Sequence, residues 1–348
     1  MMGCGDGCVM ALPMWFDTYK HVHGTRPFFK LFFSRMMSDD FDVGKEGDVR
    51  IWYQKEFAMR PWWMRSLERS FLFFVVCLLA MLISSNPSGS AQPPEVVIVA
   101  EEYAFSGPKR IDGGWKTIRF KNQGREIHHV QFLRLPAEKT IKDFNEALAS
   151  DSTRLPSWVV RFGGVNSVMP GEEATVIINL DPGEYVLICG IPDRRGLPHV
   201  IRGMSKSLQV TSSNHEPEDA PIADVTVVMK DFSYAFDRPL TAGKRMVRVR
   251  NDGSQAHEML LLKIAPGASV QDFLRLYEPG NLGNPAGRTI GGLTGLSPGR
   301  EAFLPLHVEP GRYGILCFLA DPRRRTPHFM AGMWMDIDVP SVATPATP

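Results

Sequence analysis

The sequence predicts an all-β fold: two tandem Greek-key β-sandwiches, each with one short inserted helix. Three observations carry that expectation. Many short segments alternate apolar with polar residues, the period of half-buried strands. Turn formers are abundant, with 31 Gly and 27 Pro among 348 residues, more than helical bundles use. The third observation is an internal repeat. Asn122 matches Asn251, His128 matches His257, and Asp143-Phe144 matches Asp272-Phe273 at an offset of 129. Gly163-Gly164, Pro170-Gly171, Pro182-Gly183 and Cys189 recur 128 residues later, and His199 and Met204 recur at 129. Copies of about 120 residues exceed solenoid units and read as duplicated domains.

The elements follow in order within each copy. VVIVA (96–100) and DVTVVM (224–229) open them, and WKTIRFKN (115–122) and RMVRVRN (245–251) alternate cleanly. HVQFLRL and EMLLLKI come next. One helix interrupts each copy, from Thr140 to about Ala149 and from Ser269 to about Glu278. Both open with Thr/Ser-x-x-Asp, a start resembling a capping box. ATVIINL and AFLPLHV then lead into Pro-Gly turns, YVLIC and YGILC follow, and SKSLQV and WMDIDV close the copies. About seven strands with turns between them fit a Greek-key sandwich.

The N-terminal quarter differs. Residues 71–83, FLFFVVCLLAMLI, are thirteen consecutive apolar residues, short of the roughly 20 that cross a membrane. A net-basic Met64–Arg69 precedes them, and SSNPSGSA follows with Gly89 and Ala91 at the small-residue positions of a cleavage site. This reads as a signal peptide over 64–91, cut at Ala91–Gln92. The upstream segment 1–63 then lies before the true start, Met64 or Met59. The alternative is a genuine extension with 71–83 as an uncleaved membrane anchor. The remaining domains are 92–211, a linker 212–222 (rich in polar residues from Ser212 to Pro221), 223–340 and a tail 341–348. The expected location is periplasmic or extracellular, with no stable membrane span after processing.

Charge excludes one class of partner. The net charge is +1, and residues 92–348 carry 29 basic and 29 acidic side chains. A nucleic-acid binder needs a basic excess. Five Cys are too few for a disulfide scaffold.

Of those five, one Cys stands in each copy. An interdomain disulfide is one reading. Strand alternation opposes it, because Tyr185, Leu187 and Cys189 face one way, as do Tyr313, Ile315 and Cys317, each set into its own sandwich. A buried Cys acting as a small hydrophobe is another. The neighbours point elsewhere. Cys189 is followed by His199 and Met204, and Cys317 by His328 and Met333, with Pro before each His and Gly before each Met. His128 and His257 stand six residues after an Asn at a strand end. The loops between have drifted, IPDRRGLPHVIRGM against LADPRRRTPHFMAGM, while these residues stay. Two imidazoles, a thiolate and a weak axial thioether form the type 1 copper set. The candidate metal ligands are therefore His128, Cys189, His199 and Met204, and His257, Cys317, His328 and Met333, with up to two copper ions.

On these residues the chain resembles the cupredoxins over both copies, about 96–210 and 224–339. The long loop ending in His-x-x-x-Gly-Met is closer to the type 1 site of copper nitrite reductases than to the short loops of plastocyanin or azurin. The resemblance implies a copper-binding electron-transfer site working with a redox partner protein. Multicopper oxidases and nitrite reductases place a His immediately before the Cys; here Ile188 and Leu316 stand there, and a binuclear site would need a second Cys. The expectation is therefore no enzyme. The alternative function is a structural, binding, copper-storage or sensing module on the same scaffold, without redox turnover. Among the remaining residues, His129 is expected to be structural or surface, with Glu258 in its place in the second copy. His215 falls in the linker, His307 on an exposed strand face, and Asp181 and Glu309 in turns.

Overall fold

A computed structural model describes residues 92–152, 154–213, 219–275 and 285–341, all within one compact unit, Pro87–Pro348. The upstream segment, the signal peptide with its cleavage site, His215 in the linker, the end of the second helix and most of the tail lie outside the described residues.

Strands dominate. The first half carries β1 (Glu95–Glu101), β2 (Ala104–Ser106), β3 (Arg110–Asp112), β4 (Gly114–Asn122) and β5 (Gln131–Arg134). It continues with β6 (Val160–Arg161), β7 (Glu173–Leu180), β8 (Gly183–Ile188) and β9 (Ser205–Thr211). The second half carries β10 (Val225–Lys230), β11 (Ser233–Phe236), β12 (Gly243–Asn251) and β13 (His257–Ile264). It ends with β14 (Gly287–Leu296), β15 (Glu301–Val308), β16 (Gly311–Leu316) and β17 (Trp334–Val339).

The sheets are not divided by copy. One eight-stranded sheet runs β11-β10-β12-β15-β7-β4-β1-β2 through both halves. Its seam is the antiparallel pairing of β15 with β7, Ala302 opposite Ile178 and Phe303 opposite Ile177. Trp115 meets Phe303 edge-on at 5.2 Å across that seam. The other two sheets stay within their halves, β3-β9-β8-β5-β6 and β14-β13-β16-β17. One continuous core of alternate strand residues fills the space between sheets and includes Ile98, Phe120, Tyr185, Val249 and Ile315. Truncating the wholly buried Phe120 to Ala would cost about 3–5 kcal/mol.

The repeated glycine pairs lie along a second seam, each packed tightly against a carbonyl of its own half. Gly163 N–H donates to Gly295 O at 3.0 Å, Thr294 N–H to Gly164 O at 2.9 Å, and Asn166 N–H to Gly292 O at 3.0 Å. The two segments thus cross antiparallel, with Val165 opposite Leu293. A Cβ on Gly164 would stand 2.0 Å from Val130 O, and one on Gly292 2.2 Å from Met259 O, at φ of +139° and +112°. Only glycine fits that approach.

The helices form where their caps predict. Thr140 and Ser269 each accept from the N–H three residues on, and Asp143 and Asp272 answer back to the cap N–H. The resulting α1 (Ile141–Ser150) buries Phe144 and Leu148 against Leu133, Val186 and Ile188. In the second half, α2 (Val270–Leu274) buries Val270 and Phe273 against Leu260, Leu262 and Leu316. Strand β8 is therefore covered on both faces. Tyr185, Leu187 and the following Cys189 enter the main core, while Val186 and Ile188 face the helix. No helix among the described residues is long and apolar enough to cross a membrane.

Candidate metal centres

Each centre is assembled at one end of its half from a strand terminus and one loop. Buried Asn122 fixes the approach to His128: its amide donates to Glu126 O at 2.7 Å and Val168 O at 2.8 Å, and its oxygen accepts from Gly124 N–H at 2.9 Å. Asn251 repeats this before His257, donating to Gln255 O at 2.9 Å and Leu296 O at 2.7 Å. The repeated Asn is thus a backbone brace for the loop that presents the histidine.

The second histidine is presented by a short 3-10 turn. Pro198 (φ −56°) precedes His199–Arg202, and Gly203 at φ +100° ends the turn. Pro327 and Gly332 do the same around His328–Ala331. That is the physical content of Pro-His followed by Gly-Met: a preset entry and a left-handed exit. Backbone bonds lace the loop shut. Val200 N–H donates to Cys189 O at 2.8 Å, Met204 N–H to His199 O at 3.0 Å, and Cys189 N–H to Met204 O at 3.3 Å. Phe329, Met333 and Cys317 repeat the pattern at 2.9, 3.0 and 3.1 Å.

The six His and Cys side chains converge as two triads: His128, Cys189 and His199, and His257, Cys317 and His328. All are buried, and within each triad the donor atoms lie within 4.8 Å of one another. His128 Nδ1 is 3.1 Å from His199 Nδ1, and Cys189 Sγ is 3.9 and 3.5 Å from those nitrogens. In the second centre the two Nδ1 atoms are also 3.1 Å apart, and Cys317 Sγ is 3.3 Å from His328 Nδ1. Donors that share one ion at about 2.0–2.3 Å each must lie this close. Each Cys Sγ also accepts two backbone N–H groups, from His129 and Ile191 in the first centre and from Glu258 and Leu319 in the second. Met204 and Met333 are fully buried beside the triads through the backbone bonds above. Both cysteines are free, so they form no disulfide.

The electrostatics suit metal binding. Burial first, then the neighbouring imidazole, lowers His128 and His328 to about 4. Burial also lowers His257, with Asp231 opposing it. Neutral imidazole is the ligating form. Burial pushes the Cys189 thiol up to about 12 and raises Cys317 well above its ordinary value. A metal must therefore displace that proton, and its own charge provides the drive.

Outer partners hold the far side of the rings, and these escaped the sequence analysis. Glu126 Oε2 lies 2.9 Å from His199 Nε2, and Gln255 Oε1 lies 3.1 Å from His328 Nε2. Asp231 Oδ1 lies 2.9 Å from His257 Nε2, whereas Glu102 Oε1 stays 3.9 Å from His128 Nε2. Burial pushes the Asp231 carboxyl up, but bonds from Ser254 and His257 outweigh it and leave it at about 2. Glu102 and Asp231 open the two-residue turns from β1 to β2 and from β10 to β11. Tyr103 and Phe232 follow at φ 58° and 64° and set their rings edge-on to His199 and His328, at 5.2 and 5.3 Å. The offset of 129 that aligned the histidines also aligns Glu102 with Asp231, Tyr103 with Phe232, and Glu126 with Gln255. His129, expected to be structural or surface, is half-buried and accepts Gly190 N–H at Nε2 at 2.7 Å. Glu258 Oε1 accepts Phe318 N–H at 2.8 Å in the same place. His307 is exposed, and Asp181 and Glu309 carbonyls accept the Tyr185 and Tyr313 hydroxyls.

The two triads are the donor sets that the cupredoxin resemblance requires, and they fit copper, one ion per half. No family model and no curated protein matches the chain. Among solved structures it is similar to reduced auracyanin from Roseiflexus castenholzii, at 20% identity over 35% of this chain and 99% of that one, with a TM-score of 0.23. It is also similar to auracyanin A, a blue copper protein of Chloroflexus aurantiacus, at 24% identity over 34% and 99%, TM-score 0.24. Copper nitrite reductase from Nitrosomonas europaea matches at 14% identity over 72% and 95%, TM-score 0.21.

The expectation of no enzyme is corrected here. Copper nitrite reductases and multicopper oxidases, which are enzymes, stand among these neighbours. The argument from Ile188 and Leu316 was too broad. Both side chains are packed into apolar clusters away from the main core, which removes one route from a Cys to a second centre and nothing more.

Proposed function

We propose that this chain is an exported electron-transfer protein with two type 1 copper centres, built as two tandem Greek-key cupredoxin-like domains, 92–211 and 223–340, joined by the linker 212–222. The observation that supports it most is the pair of buried His–Cys–His triads, each with Nδ1 atoms inward and two backbone N–H groups on the sulfur. His128, Cys189 and His199 hold the first ion and His257, Cys317 and His328 the second, with Met204 and Met333 as weak axial ligands. Bound copper supplies one-electron chemistry. The protein contributes fixed donors: the Asn122 and Asn251 braces and the laced loops keep the same donor positions in both oxidation states. Burial keeps water from the thiolates. A redox protein is the partner.

Copper loading of the purified protein tests this reading. Two coppers per chain with intense blue or green absorption support it; a colourless protein without copper rejects it. Export rests on the apolar run 71–83, and intact mass of the native protein should give an N-terminus of QPPEVVIV.

A further inference from the structure

The loops that lead into the second histidine of each centre differ at three aligned places, and at each the second half exposes what the first half ties down. Gly196 and Arg325 hold the same point in the turn: Gly196 N–H donates to Asp193 O at 2.8 Å, and Arg325 N–H to Asp321 O at 2.9 Å. The backbone is left-handed at both, with φ of +79° and +61°. Glycine adopts that conformation freely, whereas arginine holds it against steric strain. The strained residue completes a row of three exposed guanidiniums, Arg323-Arg324-Arg325. The acid of the loop does not neutralise them. In the first half Asp193 Oδ2 pairs with Arg202 Nε at 2.6 Å. Ala331 stands where Arg202 would be. Buried Asp321 instead accepts the backbone N–H groups of Arg323 and Arg324 at 2.8 and 2.7 Å, and Gln255 Nε2 at 3.4 Å. Among the described residues Arg323, Arg324 and Arg325 make no ion pair. Met330, two residues past His328, is 68% exposed, whereas its counterpart Ile201 packs half-buried against the cluster under α1. Arg324 lies over the Phe232 ring, 5.8 Å from its centroid, and that ring meets His328 edge-on.

We propose that the loop from Asp321 to Met330 docks an acidic one-electron carrier protein at the second centre, its carboxylates against Arg323, Arg324 and Arg325 and an apolar side chain over Met330. The inference rests on the copper reading above and names the chemistry of the partner. A guanidinium matches a carboxylate two bonds at a time, and Arg and Met are enriched where proteins meet. Residues 92–348 carry 29 basic and 29 acidic side chains, so the row of arginines is a local feature that orients an acidic partner towards one end of the molecule. The same balance lacks the basic excess that a nucleic acid requires, and one exposed Met gives no membrane anchor. The exchange balances across the contact: copper goes from Cu(I) to Cu(II) as the carrier gains one electron, or the reverse, and no bond forms or breaks. The first centre, with Arg202 paired and Ile201 covered, is the weaker port.

The test uses the copper-loaded Cys189→Ser protein, in which only the second triad is complete, with copper content and absorption measured first on the same sample. Its Cu(I) form is oxidised by hexacyanoferrate(III), an anion, and by tris(phenanthroline)cobalt(III), a cation. Added salt should slow the anion and speed the cation. Arg325→Gly, the residue the first half uses at this point, should slow the anion about threefold, while the melting temperature holds or rises as the strain is relieved. Arg325→Lys should keep the rate. An arginine with a structural role alone gives the opposite pair of results, a lower melting temperature and an unchanged rate. With copper bound, an unchanged rate in Arg325→Gly overturns the docking surface and leaves the copper reading standing. Missing copper bands overturn both. A second readout needs no electron transfer and uses the unsubstituted protein. A copolymer of glutamate and tyrosine, standing for an acidic protein surface, should shift the backbone resonances of 321–331, and Arg323→Ser with Arg324→Ser and Arg325→Gly should abolish the shifts. Unmoved resonances, or binding to phosphatidylglycerol vesicles in place of the copolymer, overturn the docking surface.

Discussion

At the first centre, Glu126 holds His199 at 2.9 Å and Glu102 stands 3.9 Å behind His128; at the second, Gln255 holds His328 at 3.1 Å and Asp231 holds His257 at 2.9 Å. The inward donors are the same in both halves, and the tight carboxylate has changed rings. Behind the sulfur, neutral His129 in one half is replaced in the other by Glu258, whose carboxyl burial raises to about 7. Arg161, from the first half, lies within electrostatic reach of both Glu258 and Cys317. Duplication thus preserved what binds and let drift what tunes. A carboxylate behind an imidazole makes it a stronger donor and favours the more highly charged metal, so the two centres should differ in potential.

The largest test of that comparison removes one thiolate at a time. Cys189→Ser and Cys317→Ser should each lose one copper and about half of the visible absorption, read by metal analysis and spectroscopy. Loss of both coppers from one substitution would break the picture of two independent donor sets. Removing a brace comes next. Asn122→Ala or Asn251→Ala deletes three hydrogen bonds and leaves buried partners unpaired, costing about 2–3 kcal/mol of apo-protein stability in denaturant titration. The affected centre should lose affinity more than its twin.

A smaller effect sharpens the difference in tuning. Glu126→Gln should raise the potential of the first centre and Gln255→Glu should lower that of the second. Each changes the preference for Cu(II) by about tenfold, about 60 mV for one electron, in spectroelectrochemical titration. Acid also probes the apo protein. His128 and His328 titrate near 4 when folded, against 6.5 ordinarily. Above 6.5 both folded and unfolded forms are neutral, so these rings contribute nothing. As pH falls from 6.5 towards 4 the unfolded chain takes up protons first, and the apo melting temperature should drop across that window. Copper loading should flatten the drop, because ligated nitrogens do not protonate. The smallest expected change is Met204→Leu or Met333→Leu, which should leave copper bound and shift only the potential of its own centre.

The two His–Cys–His clusters were legible because Cys, His and Gly kept their spacing in loops that had otherwise drifted. The helix starts were legible because a cap is a local device, read from Thr140 to Asp143 and from Ser269 to Asp272. The shared sheet was not. Alternation shows which face of β7 or β15 is buried, but nothing in it names the neighbouring strand, and the pairing of Ala302 with Ile178 joins residues 124 apart. The outer partners were missed for a related reason. Glu102 and Asp231 reach their rings from the turns after β1 and β10, 26 residues before the histidines they face. His129 was read from strand alternation alone, which gives direction and not the bond its ring makes to Gly190.

Copper stoichiometry with the visible spectrum of the purified protein tests the central claim most directly. Two coppers per chain and intense Cu(II)–thiolate absorption, halved in Cys189→Ser and in Cys317→Ser, are the predicted result. A protein that stays colourless in excess copper, or whose colour survives both substitutions together, would contradict it.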